Sequence, residues 1–400
     1  MKTDFAGVST GIAPRTARLS ARAMVLFVGM TVALDCRGDD VAPLQIVITG
    51  SRAPQPSFDL PISIDRIDQH EIQHSTAKIN LSEPLLRVPG VVAQNRQNYA
   101  QDLQISVRGF GARASFGVRG VRLYTDGVPA TMPDGQGQAS HFDLGSMAHM
   151  EVLRGPFSAL YGNSSGGVIS VFTEDGAPGF ALAPSLQYGS YGSTHAGLKA
   201  SGESGAMNYV VNATRFDTDG YRDHSAATRD TANTKLRAAL DADSSLTLIA
   251  NAVAMPDTQD PLGLARAQFD ADPRSVHANA INFNTRKSVR QEQLGLRYEN
   301  NLTRNDSVQA LLYGGERSVL QFLSVPVAAQ SAPTSAGGVI DLARRYRGAD
   351  FRWVHVAGVR AQTVQWTTGV NYDDLDEDRR GSIYKFVPEN QGDLSSGQLY

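Results

Sequence analysis

Two polar loops hold the side chains best suited to gripping a ligand. Met132, Pro133, Asp134, Gly135, Gln136, Gly137 and Gln138 form one of them. Proline and glycine there predict an exposed turn, and Gln136, Gln138 and the nearby His141 offer hydrogen-bond donors and acceptors suited to a polar small molecule. Asn95, Arg96, Gln97, Asn98, Tyr99 and Gln101 form the other, a run too polar for a core. In both loops the same composition also serves a plain solvated turn. Bond-breaking chemistry finds no support. Ser158, Ser164 and Ser165 stand in no G-x-S-x-G context, the eight histidines make no H-E-x-x-H spacing, and the single Cys36 excludes an intramolecular disulfide and a multi-cysteine metal site. The expectation is a protein that is no enzyme and holds neither cofactor nor metal.

Short β-branched runs must position these loops. They lie at 105–108, 121–124, 150–153 and 168–172 and alternate with glycine-rich turns, which is the pattern of a small compact sheet domain. Ahead of them, residues 61–67 alternate apolar and polar as a strand does. Asn80 with Glu83 makes a capping box that opens a short helix through Leu81, Leu85 and Leu86, stopping near Pro89 and Gly90. From about Pro184 the texture changes to repeated alternating strands. Nine or ten are expected, near 184–189, 193–201, 207–217, 231–241, 245–254, 287–299, 306–322, 339–356 and 362–373, with a last one near 380–386. Trp366 and Tyr372 fall on the outward side, where barrel aromatics sit. Turns at 201–206 and 241–245 are short, whereas those at 255–286 and 323–338 are long.

Residues 102–173 carry three motifs in order: R-G-F from Arg108, D-G-V-P from Asp126, and E-V-L-R-G-P-F-S-A-L-Y-G-N-S-S-G-G-V-I from Glu151. Together they resemble the plug domain of TonB-dependent outer-membrane transporters. The resemblance implies a fold class: an α+β N-terminal plug followed by a mainly antiparallel transmembrane β-barrel. It also implies roles. The loop of Asn95, Arg96, Gln97, Asn98 and Tyr99 would lie at the plug apex facing the ligand, as would Met132, Asp134, Gln136, Gln138 and His141. Arg108, Glu151 and Arg154 match charged positions that tie plug to wall. Ile46, Val47, Ile48, Thr49 and Gly50 look like the TonB box, an extended segment that pairs its backbone with TonB and its inner-membrane energising complex. Segments 130–138, 220–225, 285–299 and 336–342 further resemble the subgroup of pyrroloquinoline quinone uptake receptors, which also carry the label of ferric-siderophore receptors. The expected partners are therefore TonB, outer-membrane lipid and a small-molecule ligand, either that quinone or a ferric siderophore. An anionic ligand would find Arg96, Arg222, Arg266 and Arg274 available, though each also serves as a solvated loop charge. A non-transporting adhesin or phage-docking barrel is the rival of another class.

Lys2, Arg15, Arg18 and Arg22 precede the apolar run 23–34, so residues 1–34 read as a signal peptide, with cleavage after Ala33 placing Thr31 and Ala33 at the small-residue positions. Asp35 before Cys36 argues against lipidation. The expected organisation is then 35–57 periplasmic segment, 58–177 plug and 178–400 barrel wall. With 37 basic and 40 acidic residues the net charge is 37 − 40 = −3, too near balance for a nucleic-acid partner. Geometry adds one more expectation. A plug of this size has a radius of gyration near ~14 Å, whereas ten strands close into a barrel only ~20 Å across and about 22 strands into one of ~44 Å. A fragment holding the first half of the wall follows.

Overall fold

The computed structural model describes residues 62–384 apart from 96, 115–116, 333, 336 and 360–361, together with 47–48 and 55–56. The signal-peptide expectation lies outside the described residues. Strands β1 (Val47–Ile48) and β2 (Gln55–Pro56) form a two-residue antiparallel ladder.

The N-terminal sheet domain contains β3 (Ile64–Asp68), α1 (Gln69–Ser75), α2 (Ser82–Leu85), β4 (Val91–Gln94), β5 (Gln104–Val107), β6 (Val121–Thr125), β7 (Val128–Pro129), β8 (Met147–Arg154), α3 (Ser158–Tyr161) and β9 (Gly167–Thr173). Five of these strands make a sheet in the order β3-β8-β9-β6-β7, and β4 and β5 pair separately. Only the β6–β9 pairing is parallel within that sheet. Every residue of β6 is buried, as are six of the seven in β9 and five of the eight in β8, which is why these runs read as continuous rather than alternating. Leu81, Leu85, Ile105, Leu123, Met150 and Ile169 join the apolar core between the sheet and the helices.

The Glu83 half of the expected capping box is present and reaches further than expected, while the Asn80 side chain turns to Ser82 instead of the Glu83 amide. The Glu83 carboxylate accepts the backbone amides of Lys78, Ile79 and Asn80 at 2.8, 2.8 and 2.9 Å, and the Asn80 side chain accepts the Ser82 amide at 3.1 Å.

Nine strands then form one meandering antiparallel sheet: β10 (Gly179–Tyr188), β11 (Thr194–Ser204), β12 (Met207–Thr218), β13 (Ala227–Ala239), β14 (Ser244–Gln259), β15 (Arg286–Asn301), β16 (Asp306–Phe322), β17 (Val339–Val359) and β18 (Gln362–Ser382). Among the described residues the sheet is open, with β10 and β18 at its two edges. The separate strand expected near 380–386 is instead the end of β18, which runs unbroken to Ser382. Connections alternate as expected: 205–206, 240–243 and 302–305 are short, whereas 219–226, 260–285 and 323–338 are long. The longest carries α4 (Arg266–Ala271) and α5 (Ala278–Asn282), and 323–338 carries α6 (Val327–Gln330). Strand length grows from 10 residues in β10 to 21 in β17 and β18, beyond the 9–11 or so that cross a bilayer.

The two faces of the large sheet are inverted relative to a water-soluble protein. In β15, Gln291 and Gln293 are buried on the inner face while Leu294 and Leu296 stand exposed on the outer one. Leu312, Phe351, Trp366, Val370 and Tyr372 extend the same exposed apolar band, Trp366 and Tyr372 among them as expected. An apolar patch of that extent suits lipid and not water.

Candidate functional site

The inner face of the large sheet docks on the small domain through side chains chosen by parity. Alternate residues of one strand share a face, so Gln293, Gly295 and Arg297 project together from β15. Gln293 Nε2 donates to the Pro129 carbonyl at 2.8 Å, and Arg297 Nη1 donates to the Asp126 carbonyl at 2.9 Å. Between them Gly295 leaves room for Val128, because a Cβ at that position would stand 2.5 Å from Val128 Cγ2. The hairpin 126–129 is thus clasped at three successive inward positions. Asp126 adopts a left-handed φ of 49°, and its carboxylate accepts the Thr173 amide and hydroxyl at 2.9 and 2.6 Å, fixing the turn that is clasped.

Further ties run round the same interface. Lys235 Nζ reaches Asp175 at 2.8 Å and the Thr173 carbonyl at 2.9 Å, Lys199 pairs with Glu174, and Lys287 pairs with Asp102 at 3.1 Å. Arg122 crosses the other way to Asp373 at 3.1 Å, and Asn212 Nδ2 donates to Asp143 at 2.7 Å. Sequence reasoning missed all of these wall residues. Their signal was a cation or amide at an inward position of an alternating strand.

The charges expected to do this tying do something else. Arg154 Nη2 pairs with Asp65 at 2.6 Å and Nη1 donates to the Pro89 carbonyl at 2.8 Å, both within the small domain. Glu151 is buried in β8 with His149 Nε2 at 3.4 Å. Arg108 is exposed at a left-handed φ of 49°, its amide donating to the Gly90 carbonyl at 2.8 Å.

The loop between β4 and β5 lies against the long-connection end of the wall. Asn98 Nδ2 and Gln101 Nε2 donate to the two carboxylate oxygens of Asp260 at 2.7 and 2.5 Å, at the head of connection 260–285. The Asn95 side chain accepts the Gln97 amide at 2.9 Å, and Gln97 adopts a left-handed φ of 52°. Tyr99 is half-buried, its ring 5.1 Å from Phe216, and burial pushes its hydroxyl pKa up so that it stays protonated. Arg96 lies outside the described residues.

The second loop departs from expectation. Met132, Gln136, Gln138 and His141 are buried, not exposed. Met132 packs in an apolar cluster with Val128, Ile249, Leu311, Tyr313 and Tyr346. Arg344 Nη1 donates to Gln136 Oε1 at 2.7 Å and stands 3.6 Å from Asp134, which keeps partial exposure. His141 Nδ1 is 3.2 Å from Gln291 Nε2. Burial, with the Arg317 charge alongside, pulls the His141 pKa down to about 3, so the ring is neutral at physiological pH. Turn-forming residues predicted solvent here, but the wall supplies the cover.

Of the loop arginines, Arg222 staples loops, its Nε donating to the Ser275 carbonyl at 2.9 Å and Nη2 to the Pro261 carbonyl at 3.1 Å. Arg274 donates to the Tyr221 carbonyl at 3.2 Å, while Arg266 is exposed on α4 with Asp270 at 2.9 Å. Of the five-residue segment 46–50, the two-residue ladder holds Val47 and Ile48, whereas Ile46, Thr49 and Gly50 lie outside the described residues. Among the described residues no group of three or more His, Cys, Asp or Glu side chains is placed to hold a metal.

The profile of the TonB-dependent receptor plug domain matches residues 56–168. The small domain matches that plug over most of its length. The vitamin B12 transporter BtuB of Vibrio vulnificus is 30% identical over 146 residues, covering 36% of this chain and 23% of that protein. Among solved structures, the ferric citrate transporter FecA superposes with a TM-score of 0.67 at 20% identity, over 86% of this chain and 51% of that one. The ferric yersiniabactin uptake receptor FyuA from Yersinia pestis gives 0.64 at 18%, over 79% and 49%. BauA, the ferric preacinetobactin receptor from Acinetobacter baumannii, gives 0.67 at 15%, over 86% and 51%. The chain therefore spans about half the length of these structures and less of the B12 transporter. The fold is a plug followed by part of a receptor barrel wall, and none of these relatives is named as an enzyme.

Proposed function

We propose that this chain supplies the plug and the first wall strands of a TonB-dependent transporter that carries a scarce small molecule across the Gram-negative outer membrane. The observation that carries the reading is the seating of the plug. Its 94–101 loop meets Asp260 at the head of the longest connection, and the inward positions of β15 clasp its 126–129 hairpin. A plug held by hydrogen bonds and ion pairs must be shifted for anything to pass, and no ATP or ion gradient is at hand in the outer membrane. TonB and its inner-membrane complex supply the work in this reading, through main-chain pairing with residues 46–50.

Asn95, Gln97, Asn98 and Tyr99, with Arg96 among them in sequence, are the proposed first contacts of the ligand. Met132, Asp134, Gln136, Gln138 and His141 come into reach only once the plug moves. A ferric siderophore is the favoured cargo, supported by the ferric chelates named for FecA, FyuA and BauA, with a corrinoid next from the B12 relative. Pyrroloquinoline quinone rests on the subgroup resemblance alone and ranks below them. The test is uptake of radiolabelled ferric chelates, cobalamin and the quinone by cells carrying the protein, with and without deletion of residues 46–50. Loss of uptake with surface binding retained is expected. Binding that never leads to uptake, indifferent to the deletion, would return the protein to the adhesin or phage-docking class.

A further inference from the structure

Between the plug's apex loop and the inner face of β13–β15 lies a cavity of about 60 Å³, lined by Tyr99, Asp102 and Ser140 from the plug and by Arg229 and Lys287 from the wall. Its two cations are not equally answered. Lys287 is answered by Asp102 at 3.1 Å, but Arg229 has no such answer. That guanidinium is 8% exposed; one Nη donates to the Ile79 carbonyl, and Nε has no partner among the described residues. Arg317, 2% exposed, rests on Ser140 Oγ at 3.3 Å and Gln291 Oε1 at 2.7 Å, which are again neutral oxygens. Neither guanidinium has a carboxylate in contact among the described residues, Asp143 and Glu83 acting on Arg229 only from farther off. A guanidinium withdrawn from water and left with neutral acceptors is strongly disfavoured unless an anion joins it.

We propose that this cavity binds one small monoanion, a halide or a carboxylate group, held by Arg229 and the Tyr99 hydroxyl. Size sets the class. A water needs about 10–15 Å³ of such space, so the cavity takes the three heavy atoms of a carboxylate and excludes a whole metal chelate, whose pockets run to about 300 Å³ or more. Charge sets the valence, because one buried guanidinium with an unpartnered Nε and no contacting carboxylate suits a single negative charge. The anion has two sources, a free ion resident in the interface or a carboxylate arm of an arriving ligand. Either way it lies between plug and wall, so its binding and the plug's release are linked with opposite sign.

The test uses the detergent-solubilised protein, melted in bromide, acetate or the bulky morpholinoethanesulfonate at equal ionic strength. Saturable stabilisation by bromide and acetate, absent with the sulfonate, is expected. In Arg229→Gln, which keeps a donor for the Ile79 carbonyl, the half-saturating concentration should rise by about tenfold or more, the scale of losing one charge-assisted bond. The order of stability should also invert. The variant melts at or above the parent in sulfonate and below it in acetate. Tyr99→Phe retains the ring against Phe216 and weakens the anion about threefold to tenfold. Crystals soaked in bromide should show an anomalous peak between Arg229 and Tyr99. Protection by bromide and acetate with none added by ferric citrate identifies a resident anion, and further protection by ferric citrate that is lost in Arg229→Gln identifies a ligand's arm in the same cavity. A parent-to-variant difference that is the same in all salts, or a bromide-free cavity in the soaked crystal, overturns the proposal. None of these readouts involves transport, so failure of the uptake reading leaves them standing.

Discussion

Replacing Gly295 by alanine should unseat the plug. The new methyl would stand 2.5 Å from Val128 Cγ2, about 1 Å inside the ordinary carbon–carbon separation. Val128 is 1% exposed and cannot swing into free space. The hairpin must therefore retreat, and a retreat of that size stretches the flanking bonds of 2.8 Å from Gln293 and 2.9 Å from Arg297 past useful length. Overpacking costs about 1–3 kcal/mol and each hydrogen bond about 1 kcal/mol, offset by about 0.5–1 kcal/mol for replacing a strand glycine. A net loss of about 2–4 kcal/mol in plug seating follows, which lowers the plug's melting transition by about 10 °C or more. Calorimetry of the purified protein measures it, with protease sensitivity of the plug as a second readout. Val128→Ala alone leaves a small hole and costs about 2 kcal/mol. Combined with Gly295→Ala it should be rescued, since the new methyl fills the space. Simple additivity of the two losses would refute the reasoning.

Two further outcomes are expected. His141 has a folded pKa of about 3 against an unfolded 6.5, so the unfolded state binds the proton first. The stability that this ring contributes is complete above pH 6.5 and is lost as pH falls toward 3, by a few kcal/mol at most. His141→Gln should flatten the acid limb of the melting profile, and an unchanged slope would place the acid sensitivity elsewhere. Glu83→Ala strips three amides of their acceptor at once. About 2–3 kcal/mol of local stability should go, seen as faster hydrogen exchange across residues 78–86 with little change in the wall.

Strand-level structure was legible because an alternating strand announces itself residue by residue. The run 306–322 was delimited from pattern alone, and its bounds agree with the observed Asp306–Phe322. The end of β18 was misread for a physical reason. Asp373, Asp374, Asp376, Glu377 and Asp378 resemble a loop in sequence, yet they stay in the ladder because β17 supplies counter-charges, Arg344 reaching Glu377 at 2.6 Å and Arg347 reaching Asp374 at 3.0 Å. Site residues were legible only in part. The polarity of the 94–101 loop was legible because it is local information. The burial of Gln136 and His141 was not, because strand parity says which wall residues face inward and never which turn lies opposite. Arg154 shows the same limit, since its partner Asp65 lies in a strand whose neighbour the sequence did not name.

That last pair bears on mechanics. β3 is an edge strand of the plug sheet, joined by five residue pairs to β8 alone, and it is the first strand of that sheet in chain order. Tension applied to the chain ahead of residue 62 therefore loads β3 before any other member, like the end link of elements in series. The Arg154–Asp65 ion pair and the Arg154 amide bond to the Ser63 carbonyl at 2.9 Å lie at that end, beside the Ile64–Leu153 pair. Such a tension would strain them first, so the plug sheet would part from its own edge inward before its centre opened.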